Sequence, residues 1–176
     1  MDTSDRTQWL QENTSLSALP NEVLQAIAAR IEPITVQENR RLVLEDTQPP
    51  ALYFLRQGRM ERYRTQADTA AETISLLPGT VLYLQELLLG QPAEHTTITL
   101  SDCELWQIPR AAFLELVDAH PIISRTFSQQ LASELRQMAD QLAQEQTRQA
   151  ELRPYLVPKV RRGIIGSSRY AVRLRK

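Results

Sequence analysis

Hydrophobic and polar positions follow different periods in different parts of this 176-residue chain. Over residues 19–31, Val23, Ile27 and Ile31 recur at every fourth position with Leu24 alongside. That spacing predicts an amphipathic helix, and Pro20 suits its first turn. From residue 34 to residue 108 the period shortens to β-type runs at 34–36, 42–44, 52–55, 60–64, 73–77, 81–84, 96–100 and 104–108. Turn residues separate them, among them Glu38 and Asn39, Pro49 and Pro50, Gly58, Asp68, Pro78 and Gly79, and Gly90 with Pro92. Eight short strands about ten residues apart, punctuated in this way, predict a sandwich or barrel of the jelly-roll type.

Helical spacing returns at residues 109–117, where Phe113, Leu114 and Val117 share a face. After a break at His120 and Pro121, a stretch free of glycine and proline runs to residue 152. In it Ile123, Phe127, Leu131, Leu135, Met138 and Leu142 are spaced four, four, four, three and four residues apart, and Glu145, Gln149 and Leu152 continue the register with a more polar stripe. This is a coiled-coil-like seam. A helix of some thirty residues is about 45 Å long, more than one small sandwich covers. Its far half therefore needs another partner, and a second copy of the chain is the economical one. The competing reading folds the helix along its own domain. Residues 1–18 are largely polar, with Trp9 and Leu10 the large apolar side chains of the first half after Met1, and a helical turn there would lay Trp9 against the main body as an edge anchor.

Composition, 42% hydrophobic and 23% charged, is that of an ordinary globular protein. The net charge of −1 conceals an asymmetry: residues 153–176 carry eight basic side chains and no acid, which leaves 12 basic against 21 acidic residues before them, a formal −9. The acidic body would repel a polyanion. One cysteine, Cys103, excludes an intramolecular disulfide framework and suits a reducing compartment. No leader pattern or membrane-length apolar run is present, so the expected location is the cytoplasm. His95 and His120 are the only histidines, and no set of His, Cys and carboxylates has metal-site spacing. No Ser or Cys has a recognisable base and orienter. The chain is expected to be no enzyme, with neither catalytic residues nor a metal.

Four motifs in order carry a resemblance over about residues 19–150. The run 52–58, Leu-Tyr-Phe-Leu-Arg-Gln-Gly, resembles a strand and turn in which glycine supplies a positive φ. Leu77, Pro78 and Gly79 resemble the turn that follows. Residues 82–102 resemble a phosphate-binding cassette. Residues 102–113 resemble its closing strand and helix. Together they resemble the cyclic nucleotide-binding domain of catabolite-activator-like regulators, kinase regulatory subunits and gated channels. The resemblance implies a mainly β fold with flanking helices, a double-stranded β-helix or jelly roll, and a long C-terminal dimerisation helix. The domains expected are an N-terminal segment at 1–18, a β-roll at 19–117, the long helix at 118–152 and a basic linker or further module at 153–176.

In that family an arginine and backbone amides of the cassette neutralise a cyclic phosphate, and a glutamate holds the ribose. The corresponding positions here are Gln85, Glu86, Leu87, Ala93, Glu94, His95, Thr96 and Thr97. Pro92 and Thr96 keep the frame, but Ala93 stands at the arginine position and Glu94 would repel a phosphate. Glu86 matches the ribose glutamate only with a loop shortened by about two residues; without that gap Leu84 takes the position. Thr96 and Thr97 retain hydroxyls. Arg40, Arg41, Arg56, Arg62 and Arg64 lie on or near strands, either as solvated strand charges or as a replacement cation from another direction. No cofactor is expected; a cyclic nucleotide is the alternative ligand.

The 24 residues after Leu152 are too few for the winged helix-turn-helix of catabolite-activator-like regulators, so sequence-specific DNA binding by this chain is not expected. Residues 162–176 resemble the opening of the AAA+ domain of sigma-54-dependent activators, with Ser167 or Ser168 as a helix cap. A disordered basic tail is the competing reading. The function expected is a non-enzymatic sensor and dimerisation module of a transcriptional-regulator-type protein, joined to a downstream AAA+ or effector module. The alternative is a functional cyclic nucleotide or small-anion receptor with a rewired pocket.

Overall fold

The structure, a computed structural model, describes residues 1–65 and 72–173, with side chains described as far as Leu152. Its elements run α1 (Thr3–Asn13), α2 (Asn21–Ala29), β1 (Glu32–Val36), β2 (Arg41–Val43), β3 (Ala51–Gln57), β4 (Met60–Tyr63), β5 (Thr73–Leu76), β6 (Val81–Leu82), α3 (Leu84–Leu89), β7 (Thr96–Thr99), β8 (Cys103–Pro109), α4 (Arg110–Ala119) and α5 (Ile122–Arg173). The strands form two four-stranded sheets, in the orders β1-β8-β3-β6 and β2-β7-β4-β5. Every pairing is antiparallel. The fold is an antiparallel β-roll with flanking helices and a long C-terminal helix, as the sequence periods predict. Contacts group the chain into two units, Met1–Phe127 and Ser128–Lys176.

Strand β3 shows why both faces of its sheet are dry. Ala51, Leu52, Tyr53, Phe54 and Leu55 are all buried in succession, where a half-exposed strand would alternate. Leu52 and Phe54 lie opposite Ile108 and Trp106 of β8. On this outer face Trp9 of α1 meets Trp106 edge-on, with ring centroids 5.0 Å apart. Arg56 stacks over both indoles, at 4.4 Å from Trp106 and 5.3 Å from Trp9. The polar N-terminal segment is therefore a docked helix, held by Trp9 and the fully buried Leu10. Helix α2 adds Val23, Leu24 and Ile27 to the same core.

The inner face is the interior of the roll. Met60 on β4 lies opposite Leu76 on β5 and Thr99 on β7, and all three are buried. Gly58, in the turn before β4, has φ +101; a Cβ there would come within 2.6 Å of the Asp102 carbonyl oxygen and 2.7 Å of Cys103 Sγ. Only glycine fits that turn.

Beyond shifts of a residue or two at several ends, two elements depart from the sequence expectation. The run at 81–84 is strand only through Leu82, because Tyr83 turns the chain with φ +70 and the next six residues form α3. Leu84, Leu87 and Leu88 have helical spacing within an apolar run too short for periodicity to separate strand from helix. Helix α5 continues past residue 152 to Arg173. The side chains of 153–173, and with them the resemblance to an AAA+ opening, lie outside the described residues.

Candidate functional site

The expected cassette spans the end of β6, helix α3 and the loop into β7. Tyr83 is the pivot. Its left-handed backbone starts α3, and its side chain is only 8% exposed. The phenol hydroxyl hydrogen-bonds the Thr97 hydroxyl on β7. Its ring meets Tyr53 of β3 edge-on, with centroids 6.1 Å apart. Tyr83 thus spans the interior between the two sheets. Burial pushes its phenol well above the ordinary tyrosine range; the Thr97 hydrogen bond opposes the rise, Glu86 and Tyr53 add to it, and the Arg62 guanidinium lowers it.

The loop after α3 closes on the turn between β2 and β3. Gly90, with φ +65, ends the helix. Ala93 N–H donates to Thr47 O at 2.9 Å, and Ala93 O accepts from Asp46 N–H at 2.8 Å. The Ala93 side chain is 1% exposed, inside the core cluster. The Thr96 hydroxyl accepts from Glu45 N–H at 3.0 Å. Of the expected cassette residues, Leu87, Ala93, Thr96 and Thr97 are buried, Glu86 and His95 are half-buried, and Gln85 and Glu94 face solvent. The left-handed backbone falls at Tyr83 and not at Gln85.

The arginines separate by environment. Arg40 and Arg41 are exposed, Arg56 stacks on the tryptophans, and Arg64 lies 3.7 Å from Glu45. Arg62 lies opposite Thr97 on β7 and Ile74 on β5, two residues beyond Met60 on the inward face. Among the described residues, its Nε and the Nε2 of His95 are buried without a hydrogen-bond partner. Sequence reasoning named Arg62 only as one of five strand arginines; its register with Thr97 is what singles it out. It also missed Tyr83, for which no local motif signals an inward side chain.

Along the expected seam, Ile123 is 3% exposed and belongs to the core of the Met1–Phe127 unit. Phe127 and Leu131 are half-buried. Leu135, Met138 and Leu142 are 66%, 58% and 60% exposed. Among the described residues, no three His, Cys, Asp or Glu side chains converge as a metal site, and no helix is long and apolar enough to cross a membrane.

The fold is shared with solved structures, and a family profile matches the sequence. The catabolite activator protein of Thermus thermophilus is similar with a TM-score of 0.61 and 20% identity, over 73% of this chain and 61% of that one. The chain therefore spans under two thirds of that relative's length. The sensor domain of the transcriptional regulator DNR from Pseudomonas aeruginosa is similar with a TM-score of 0.63 and 16% identity, over 78% of this chain and 93% of that one. The N-terminal domain of a transcriptional regulator from Streptomyces coelicolor A3(2) gives 0.61 and 19%, over 76% and 94%. No curated protein is matched in sequence. The profile of the cyclic nucleotide-binding domain matches residues 33–120, half of the chain. With the roll, the cassette helix and the glycine turn in place, this chain belongs to the cyclic nucleotide-binding domain family.

Proposed function

We propose that this chain is the non-enzymatic regulatory module of a transcriptional-regulator-type protein, and that its roll does not take cyclic AMP in the family's usual way. The observation that carries this reading is the inward side chain of Tyr83, hydrogen-bonded to Thr97 in the roll interior. A positive φ immediately before the cassette helix is where the family's glycine lets backbone approach the ligand. With Tyr83 there, the register without a gap is favoured, and Leu84 stands where the ribose glutamate would be. The groups a cyclic phosphate needs are engaged by the chain itself: Ala93 N–H, the Thr96 hydroxyl and the Thr97 hydroxyl all have internal partners. No arginine stands at Ala93. Each lost hydrogen bond to a charged group forgoes about 1.5–3 kcal/mol, roughly tenfold or more in affinity.

In this reading the roll at 19–117 senses or scaffolds, and the helix from 118 dimerises through Phe127, Leu131, Leu135, Met138 and Leu142. It then passes the state of the roll to residues 153–176 and an AAA+ or other effector module beyond. The setting is cytoplasmic, and DNA is contacted by other parts of the protein. Support for the helix's role comes from the large apolar side chains it exposes. Calorimetric titration with cyclic AMP and cyclic GMP tests the reading. No saturable heat is expected, and a Kd in the micromolar range for either would overturn it.

A further inference from the structure

The same interior that is closed to a nucleotide holds an unusual set of donors. Arg62 faces inward on β4 beside Thr97, and Thr97 meets the Tyr83 hydroxyl. His95 lies two residues before Thr97, one step beyond the pair formed by Tyr63 and Thr96. It stands in the bend that leads into β7. Two of these side chains bring buried nitrogens that lack a hydrogen-bond partner among the described residues, Arg62 Nε and His95 Nε2. Leaving a buried polar group unmet costs about 1–3 kcal/mol, more for a charged one. Arg6 Nε and Arg56 Nε are likewise unmet, but those guanidiniums lie against the Trp106 and Trp9 rings; the pair at Arg62 and His95 points to a bound partner.

The chemistry of the set is one-sided. Arg62 Nε–H donates only, the imidazole donates in its Nε2–H tautomer, and the Tyr83 and Thr97 hydroxyls supply one further donor between them. The nearby acids do not cancel it. Glu45 is taken by Arg64 and by Thr65 N–H, and the charge of Glu86, half-buried on α3, is opposed at the Tyr83 phenol by the Arg62 guanidinium. We infer that the Arg62, His95, Tyr83 and Thr97 cluster binds a compact oxyanion, a carboxylate or inorganic phosphate, from the β4 side of the roll. This rests on the reading that the cassette does not hold a nucleotide. A guanidinium on the strand then stands in for the absent cassette cation.

The test uses the full chain at constant ionic strength held with chloride. Inorganic phosphate and acetate are titrated separately while the Arg62 Nε–H and His95 imidazole resonances are followed by NMR. Saturable shifts at both residues with either anion are expected, and the stronger anion identifies the ligand's source. Arg62→Gln should weaken binding by roughly tenfold or more. No saturable shift with either anion, or unchanged affinity in Arg62→Gln, overturns the inference. Should Arg62→Gln lose its fold by circular dichroism, His95→Phe decides in its place, with several-fold weaker binding expected and unchanged affinity overturning the site. Displacement of the anion by micromolar cyclic AMP would overturn the functional reading and leave the anion site standing. Absence of all binding would overturn the anion site alone.

Discussion

Tyr83 joins an uncommon backbone to a buried phenol, and each half has a measurable consequence. Its phenol ionises near 10 in an unfolded chain and well above that in the fold, chiefly because burial disfavours the phenolate. A folded value raised above the unfolded one contributes stability that is complete below about pH 10 and is lost as pH rises beyond it. Burial also pushes the Cys103 thiol up, with the same sign. In Tyr83→Phe, chemical denaturation across alkaline pH should therefore show a shallower loss of stability, together with a loss of about 1 kcal/mol at neutral pH from the Thr97 hydrogen bond. An unchanged alkaline slope would remove Tyr83 from the interior. Ala93 makes the complementary prediction. Ala93→Arg places a guanidinium in a site that is 1% exposed and already tied to Asp46 and Thr47, so thermal denaturation should show a loss of at least about 2 kcal/mol. The absence of an arginine at 93 is plain in the chain; that Tyr83 fills the interior is not, since no local pattern tells which way one aromatic side chain points.

At the scale of elements, the eight strands were legible because turn residues bracket each run. Helix α3 was not. Its six residues lie in a continuous apolar run, and only the left-handed backbone at Tyr83 separates it from β6. The β3–β4 turn was read correctly from Gly58, and the structure adds the steric reason. Gly58→Ala should cost about 2 kcal/mol or more in urea denaturation, since both a positive φ and the Asp102 carbonyl oppose a Cβ. The docking of α1 was only half legible: Trp9 marked an anchor, but its partners Trp106 and Arg56 are distant in sequence and meet only through the fold. Trp9→Ala should lower stability by about 2–4 kcal/mol, less than a fully buried tryptophan would, because Trp9 is half-buried.

For the whole molecule, the seam in α5 divides into two parts. Ile123 serves the core of the roll unit, whereas Leu135, Met138 and Leu142 are largely exposed. Exposed leucines at helical spacing on a chain this polar argue for a second copy, and Leu135→Asp with Leu142→Asp should yield a monomer while the roll keeps its thermal transition. On the proposed function, association through α5 is intrinsic and cyclic AMP does not govern it. Sedimentation equilibrium of the full chain, with and without cyclic AMP, tests this most directly. It should give twice the 20.1 kDa chain mass in both conditions. A monomer without the nucleotide, or a mass that changes when cyclic AMP is added, would contradict it.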